Sequence, residues 1–268
     1  MSEERDPCQR AAELLREAER VLVLTGAGIS TESGIPDFRS PGGLWDRYDP
    51  SELTYDRFRA SEQTRRIYWQ IAAEAYPVLR DARPNAAHRA VVAIERAGKL
   101  LGLVTQNVDG LHQKAGSDPA KVVEIHGTAL RVTCIDCGRE YDREQVHQRV
   151  LAGEQVPRCD ACGGPLKPAT ISFGQAMPER ETAQAFRWAA ECDLAIVIGS
   201  SLVVYPAAAI PQEAVRAGAR LIIVNREPTP QDSSASVVVR GSAGEAMTRI
   251  VTLAGCPMPP AEGEPTSP

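Results

Sequence analysis

Apolar positions along this chain fall into short unbroken runs. Residues 21–24, 101–104, 194–198 and 221–224 are near-continuous Val, Ile and Leu. Runs of that kind suit strands buried on both faces of a parallel sheet rather than strands with one wet face. Between them lie stretches of helical period at 88–97, 179–190 and 206–217, the last with Pro206 at its start and Gly218 just past its end. Residues 13–20 read as the end of a helix that feeds the first strand. Strands alternating with helices predict an α/β fold, a doubly wound Rossmann-like parallel sheet. Residues 131–167 break the alternation with cysteines, charges and turn residues, so we expect a smaller module inserted there. The expected organisation is an N-terminal extension and helix over 1–18, a discontinuous sheet domain over 19–130 and 168–255, the inserted module over 131–167, and a disordered tail rich in Pro and Glu over 256–268.

Composition narrows the class. Hydrophobic residues make up 43% of the 268, ample for a core, and the formal net charge of −5 argues against a nucleic-acid-binding surface. Residues 1–7 are charged and lack the apolar centre of a signal peptide. The longest apolar stretch, 194–210, is interrupted by Gly199, Ser200, Ser201 and Pro206 and is too short to span a bilayer. We therefore expect a cytoplasmic protein with neither a membrane nor a nucleic acid as its partner.

The cysteines divide into two kinds. Cys8, Cys192 and Cys256 show no paired spacing, which fits a reducing compartment. Cys134 with Cys137, and Cys159 with Cys162, form two Cys-x-x-Cys pairs separated by 21 residues. A two-residue gap lets both thiolates of a pair reach one ion, and two pairs complete the tetrahedral shell that zinc prefers. Four protein ligands leave no open position for substrate or water, so the metal is structural and the chemistry lies elsewhere.

In parallel α/β sheets ligands bind at the carboxyl ends of the strands. Those ends read Thr25-Gly26-Ala27-Gly28, Thr105-Gln106-Asn107-Val108-Asp109, Gly199-Ser200-Ser201 and Asn225-Arg226-Glu227. Gly26 and Gly28 permit close backbone approach to a pyrophosphate. A strict G-x-G-x-x-G fingerprint fails at Thr31, and Asn225 stands where a dehydrogenase has a ribose-binding acid. The strand ends predict a nucleotide, but not an ordinary dehydrogenase.

The segment Gly26-Ala27-Gly28-Ile29-Ser30-Thr31-Glu32-Ser33-Gly34-Ile35-Pro36-Asp37-Phe38-Arg39 resembles the opening motif of the sirtuins, the NAD-dependent protein-lysine deacylases. Thr105-Gln106-Asn107-Val108-Asp109-Gly110-Leu111-His112 resembles their second motif. His126-Gly127, the two cysteine pairs, Gly199-Ser200-Ser201 and Val224-Asn225 follow in the family's order. The resemblance implies NAD as co-substrate, one structural zinc ion, and acyl-lysine side chains of proteins as substrates. It implies that Gly26, Ala27 and Gly28 cradle the phosphates, with Gly199, Ser200 and Ser201 opposite. Asn225 would hold the adenosine ribose beside Arg226, and Ala243 would lie near adenine. Asp37, Phe38 and Arg39 would belong to a mobile loop over the nicotinamide half, with Ser30 and Gln106 also in the cofactor's surround. Asn107 would position the nicotinamide ribose or a water, Asp109 would bond the carboxamide, and His126 would be the general base.

The chemistry so implied explains the residue types. The acyl-lysine oxygen attacks the anomeric carbon of the nicotinamide ribose as nicotinamide leaves, which needs a dry site. A base of near-neutral pKa then activates a ribose hydroxyl, a task suited to histidine. The implied products are free lysine, nicotinamide and acylated ADP-ribose. Taken alone, Asp109 also reads as an Asx-turn residue before Gly110, and His126 as a turn histidine. In the family's substrate-strand motif this chain carries Gln175 where glutamate is common. Sirtuins that take acidic acyl groups carry Tyr and Arg three residues apart, whereas here Tyr68 is followed by Ile71. We expect acetyl and longer neutral acyl groups to be accepted. Transfer of ADP-ribose to protein is the rival activity.

Overall fold

The computed structural model describes residues 6–37 and 49–260. Its strands are β1 (Val21–Thr25), β2 (Leu100–Thr105), β3 (Val122–Glu124), β4 (Gly127–Cys134), β5 (Glu140–Asp142), β6 (Leu166–Thr170), β7 (Leu194–Ile198), β8 (Arg220–Val224) and β9 (Val237–Val239). Six of them form one parallel sheet in the order β3-β2-β1-β7-β8-β9. The direction of winding reverses between β1 and β7, and the crevice outside their carboxyl ends is where this topology holds a ligand. β1 and β7 are buried at every position, as their unbroken apolar runs require. The central four strands are those legible as apolar runs. The edge strands β3 and β9 have three residues each, too few to leave a pattern.

Helices cover both faces. Pro7–Glu17, Ala86–Arg96 and Ala243–Ala254 pack on one, through Ala11, Leu15, Ala90, Val91, Met247 and Ile250. Glu179–Glu191 and Ala209–Arg216 pack on the other, through Ala185, Trp188, Ile210 and Ala214. The first helix starts with Asp6 accepting from the Cys8 N–H and Pro7 at its first position. The helix expected from Pro206 begins instead at Ala209. Residues 205–208 are spent on a turn in which the Ala208 N–H reaches Val204 O and the Ala209 N–H reaches Pro206 O.

β4, β5 and β6 form a separate antiparallel sheet, ordered β5-β4-β6, in which Gly127 pairs with Thr170 and Cys134 with Leu166. This small sheet therefore runs from Gly127 to Thr170, wider than the expected 131–167. It also draws a helix from elsewhere in the chain. Trp69, on the helix Glu62–Asp81, is fully buried against Val132, Cys134, Val146, Cys159 and Leu166 and donates its indole N–H to Leu166 O. Arg143 clamps the joint, donating to Ala72 O with its guanidinium over the rings of Trp69 and Tyr76.

The expected tail is corrected at its start. Gly255, at φ 80°, closes the last helix, and the Cys256 N–H returns to Val251 O. That turn folds Cys256 into the core and packs Met258 against it. Order therefore extends beyond 255, and residues 261–268 lie outside the described ones. No helix among the described residues is long and apolar enough to cross a membrane.

Candidate active site

At the switch point the loops after β1 and β7 lie back to back. Gly26 N–H donates to Ile198 O at 3.0 Å and Gly28 N–H to Gly199 O at 2.9 Å. A Cβ on Gly28 would come within 2.8 Å of Gly199 Cα, and one on Gly199, at φ +63°, within 2.3 Å of Ile29 N. The sequence assigns these glycines to phosphate approach. The structure uses them first to bring two strand ends into contact, with the Gly28 donor already engaged. Ala27 opens the single 3-10 turn Ala27–Ile29, and a first-turn N–H has no acceptor within its own turn. Ser200 is buried, and its Oγ accepts from Gln106 Nε2 at 2.8 Å, so the ends of β2 and β7 are cross-linked. Ser201 is half-buried beside it.

Further along the same edge, Asn225 follows β8. Its backbone N–H reaches Val239 O and its Nδ2 donates to Glu227 O, which leaves the amide oxygen to accept from a ligand. Arg226 is exposed. Ala243 is buried at the first position of the last helix. The next N–H, from Gly244, is taken by Glu32 Oε1 at 2.9 Å, a carboxylate on a helix N-terminus. Glu32 thus ties the last helix to the motif turn Thr31–Ser33, a role the sequence did not single out.

Ser30, Asn107 and Asp109 form one buried unit. Ser30 Oγ accepts from Asn107 Nδ2 at 3.0 Å and donates to Asp109 Oδ2 at 2.8 Å. The other oxygen, Oδ1, accepts from Leu111 N–H at 2.9 Å, the Asx-type contact anticipated before Gly110. Burial pushes the Asp109 carboxyl above its usual range, while the bonds from Leu111 and Ser30 pull it back. Ser30 is 1% exposed and its hydroxyl is held between Asn107 and Asp109, so it bridges the two.

His126 follows β3 and immediately precedes β4, at the joint between the large and small sheets. Its Nδ1 lies 3.1 Å from Gln106 O, and Ile171 N–H donates to His126 O at 2.8 Å. A carbonyl can only accept, so Nδ1 carries the proton and Nε2 keeps the lone pair of a neutral ring. Burial holds the His126 pKa below the ordinary histidine value, against the opposing bond to Gln106. A neutral imidazole with a defined tautomer is what a general base requires. Asp37 is half-buried at the end of its described stretch. Phe38 and Arg39 lie outside the described residues.

Beneath these groups runs a hydroxyl and imidazole layer that sequence reading passed over. Thr25 Oγ1 donates to Thr105 Oγ1 at 2.9 Å and lies 3.0 Å from His112 Nε2, and Asn107 N–H donates to Thr105 Oγ1. With the Thr25 proton on Thr105, His112 is the donor through Nε2. His88 Nδ1 accepts from Asn85 N–H, so its proton is on Nε2. The two rings stand 4.9 Å apart, and each leaves a buried nitrogen without a partner, a donor on His88 and an acceptor on His112. Burial drives the His112 pKa down to about 3 and that of His88 well below the ordinary value. The available signal was a threonine closing each of two apolar runs.

The four paired cysteines converge. Cys134 Sγ lies 3.5 Å from Cys162 Sγ, Cys137 Sγ lies 3.6 Å from Cys159 Sγ, and all four sulfurs fall within 4.8 Å of one another. Tetrahedral zinc with Zn–S near 2.3 Å calls for S···S separations of about 3.8 Å. The donor set and spacing fit that ion, and none of the four is in a disulfide.

Known proteins resemble this chain over most of its length. The Sir2 family model matches residues 26–206. The chain is 46% identical over 250 residues to an NAD-dependent protein deacetylase 1 of Bradyrhizobium diazoefficiens, covering 93% of this chain and 97% of that one. It is 43% identical over 247 residues to an NAD-dependent protein deacylase 2 of Archaeoglobus fulgidus, covering 92% and 95%. A solved structure of a Sir2 protein with a deacetylated p53 peptide and 3′-O-acetyl-ADP-ribose is similar at a TM-score of 0.86 and 37% identity, covering 93% of this chain and 99% of that one.

Proposed function

The chain belongs to the Sir2 family, and from that premise we propose that the ends of β1, β2, β7 and β8 bind NAD and that His126 is the base of the reaction. The protein is an NAD-dependent protein-lysine deacylase, which passes the acyl group to ADP-ribose and releases nicotinamide. When bound, NAD supplies the activated ribose carbon that accepts the acyl oxygen. The chain's own residues hold, orient and deprotonate. Gly26, Ala27, Gly28, Gly199, Ser200 and Ser201 bound the phosphate side, and Asn225, Arg226 and Ala243 the adenosine side. Asn107 and Asp109, linked through Ser30, orient the nicotinamide half, with Gln106 beside them. The resemblance assigns Asp37, Phe38 and Arg39 to the same surround, Phe38 and Arg39 lying outside the described residues.

The observation that carries the assignment is the contact of His126 Nδ1 with Gln106 O, from which the tautomer follows. Gln106 belongs to the same strand end as Asn107 and Asp109, and its carbonyl holds the Nδ1 proton so that Nε2 accepts. Cytoplasmic residence, with no nucleic-acid partner, belongs to the same reading, supported by cysteines free of disulfides and the net charge of −5. A preference for neutral acyl groups is supported by Ile71 in place of an arginine and by the Tyr68 hydroxyl being engaged with Thr170 Oγ1 at 2.9 Å.

The test incubates the purified protein with NAD and equimolar acetyl-, succinyl- and myristoyl-lysine peptides, reading peptide mass and nicotinamide. We expect NAD-dependent loss of the acetyl or myristoyl group in the wild type, with no turnover by His126→Ala despite retained NAD binding. Nicotinamide release with every peptide intact would move the reading to ADP-ribosyl transfer or NAD hydrolysis. Desuccinylation alone would overturn the acyl preference.

A further inference from the structure

We propose that Tyr141 is a positioning residue of the four-cysteine site: its hydroxyl donates to Cys159 Sγ and thereby sets how long the metal stays bound. Tyr141 stands at the middle of β5, paired with Val132 of β4. Its hydroxyl oxygen lies 3.0 Å from Cys159 Sγ and 2.9 Å from the backbone N of Asp160. Chemistry fixes the direction of both bonds. An amide N–H can only donate, so the phenol accepts from Asp160, and its single proton is left for the sulfur.

That bond has two consequences. Four thiolates around a dication leave a net charge of −2 on the site, and a hydrogen bond to one sulfur withdraws part of it, strengthening the set as a whole. The same hydroxyl clips the second cysteine pair, through Cys159 and Asp160, to β5. β5 lies against β4, which carries Cys134, so Tyr141 holds the two halves of the ligand set in register. Arg139, with its guanidinium 5.6 Å from the ring centroid, places positive charge on the phenol's face and favours donation. Among the described residues, no other side chain apart from the cysteines themselves is hydrogen-bonded to one of the four sulfurs. The signal therefore rests on one atom that a Tyr→Phe change removes without altering the ring.

The experiment uses the full-length, zinc-loaded protein and follows release of zinc to a chromophoric chelator. Tyr141→Phe is expected to release zinc roughly 10-fold faster or more, within the range of 10–100-fold typical of lost partners to metal ligands. A readout that packing alone does not move is the thiolate-to-metal charge-transfer band of the cobalt-substituted protein. It should shift to lower energy in Tyr141→Phe, because Cys159, left with the backbone N–H groups of Ala161 and Cys162 alone, is more easily oxidised. Release within twofold of wild type, with an unmoved band, would overturn the proposal. If Tyr141→Phe does not accumulate folded, proton NMR of the cadmium-substituted wild type decides. An exchange-protected Tyr141 hydroxyl proton supports the bond, and its absence overturns it. The proposal rests on the zinc reading, and the two fail differently. Wild-type protein that purifies without stoichiometric zinc sinks both, whereas zinc-loaded wild type with an indifferent Tyr141→Phe sinks only this one.

Discussion

At the scale of single residues, three histidines are kept neutral in two settings. His126 is neutral because burial outweighs its one carbonyl partner, and its Nε2 keeps the lone pair. His88 and His112 are neutral because they are sealed under the strand ends, at 0% and 1% exposure, with no carboxylate against either ring among the described residues. The stability consequence has a definite sign. A histidine whose folded pKa is depressed binds fewer protons folded than unfolded below the unfolded value, so its contribution is present above about pH 6.5 and is lost as pH falls. For His112 the loss runs from about pH 6.5 down toward its folded value of about 3. Each such histidine adds a slope of about 1.4 kcal/mol per pH unit well inside that window. Urea unfolding at pH 7, 6 and 5 should show stability falling with pH, and His112→Gln should flatten the fall. An unchanged pH slope in that variant would mean that other groups carry it.

At the scale of elements, the cleft depends on glycines that let backbones and helices meet. Gly102 of β2 shows how tight these contacts are: a Cβ there would lie 2.3 Å from the Trp188 ring of the helix Glu179–Glu191. The indole is the helix's largest contribution to the core on that face, and it cannot retreat while Ala185 and Ala189 stay seated. Gly102→Ala is therefore expected to destabilise by about 1–3 kcal/mol through overpacking, read as a lower urea midpoint with an unchanged m-value. A midpoint equal to wild type would mean that the helix slides without cost. The central strands and the helix at 179 were legible because long apolar runs and helical periods are written locally. The edge strand β3 was not, although it delivers His126, because Val122–Glu124 is defined by pairing with β2 rather than by its own pattern. Likewise the membership of Glu62–Asp81 in the small sheet's core follows from Trp69 reaching Leu166, a contact across 97 positions that no window of sequence displays. Motif residues such as Ser30, Asn107 and Asp109 were legible as a set, but their common hydrogen-bonded unit was not.

For the whole molecule, the question is how a structural metal affects a reaction it does not touch. β4 runs from Gly127, next to His126, out to Cys134, and β6 returns to Thr170 beside Gly127. At about 3.3 Å per residue, Cys134 stands roughly 26 Å from His126 along β4. The small sheet's core consists of Trp69, Val132, Cys134, Val146, Cys159 and Leu166, so two of its six buried members are metal ligands. Such a core is expected to loosen without the ion, metal binding then being part of its folding free energy. The large sheet has its own two clusters of buried residues and shares none of these. Chelation, or Cys134→Ala, should therefore unfold the small sheet first and leave the ends of β1, β7 and β8 able to bind NAD. Deacylation should nevertheless fail, because His126 loses the strand that follows it and the Ile171 N–H that holds its carbonyl. Calorimetry should split one transition into an early and a late one, while titration with NAD finds affinity retained and peptide turnover falls with zinc content. If Cys134→Ala kept full metal content and melting temperature, the metal assignment would be wrong. If NAD affinity fell in step with turnover, the two sheets would be one cooperative unit and His126 would not be the point where they couple.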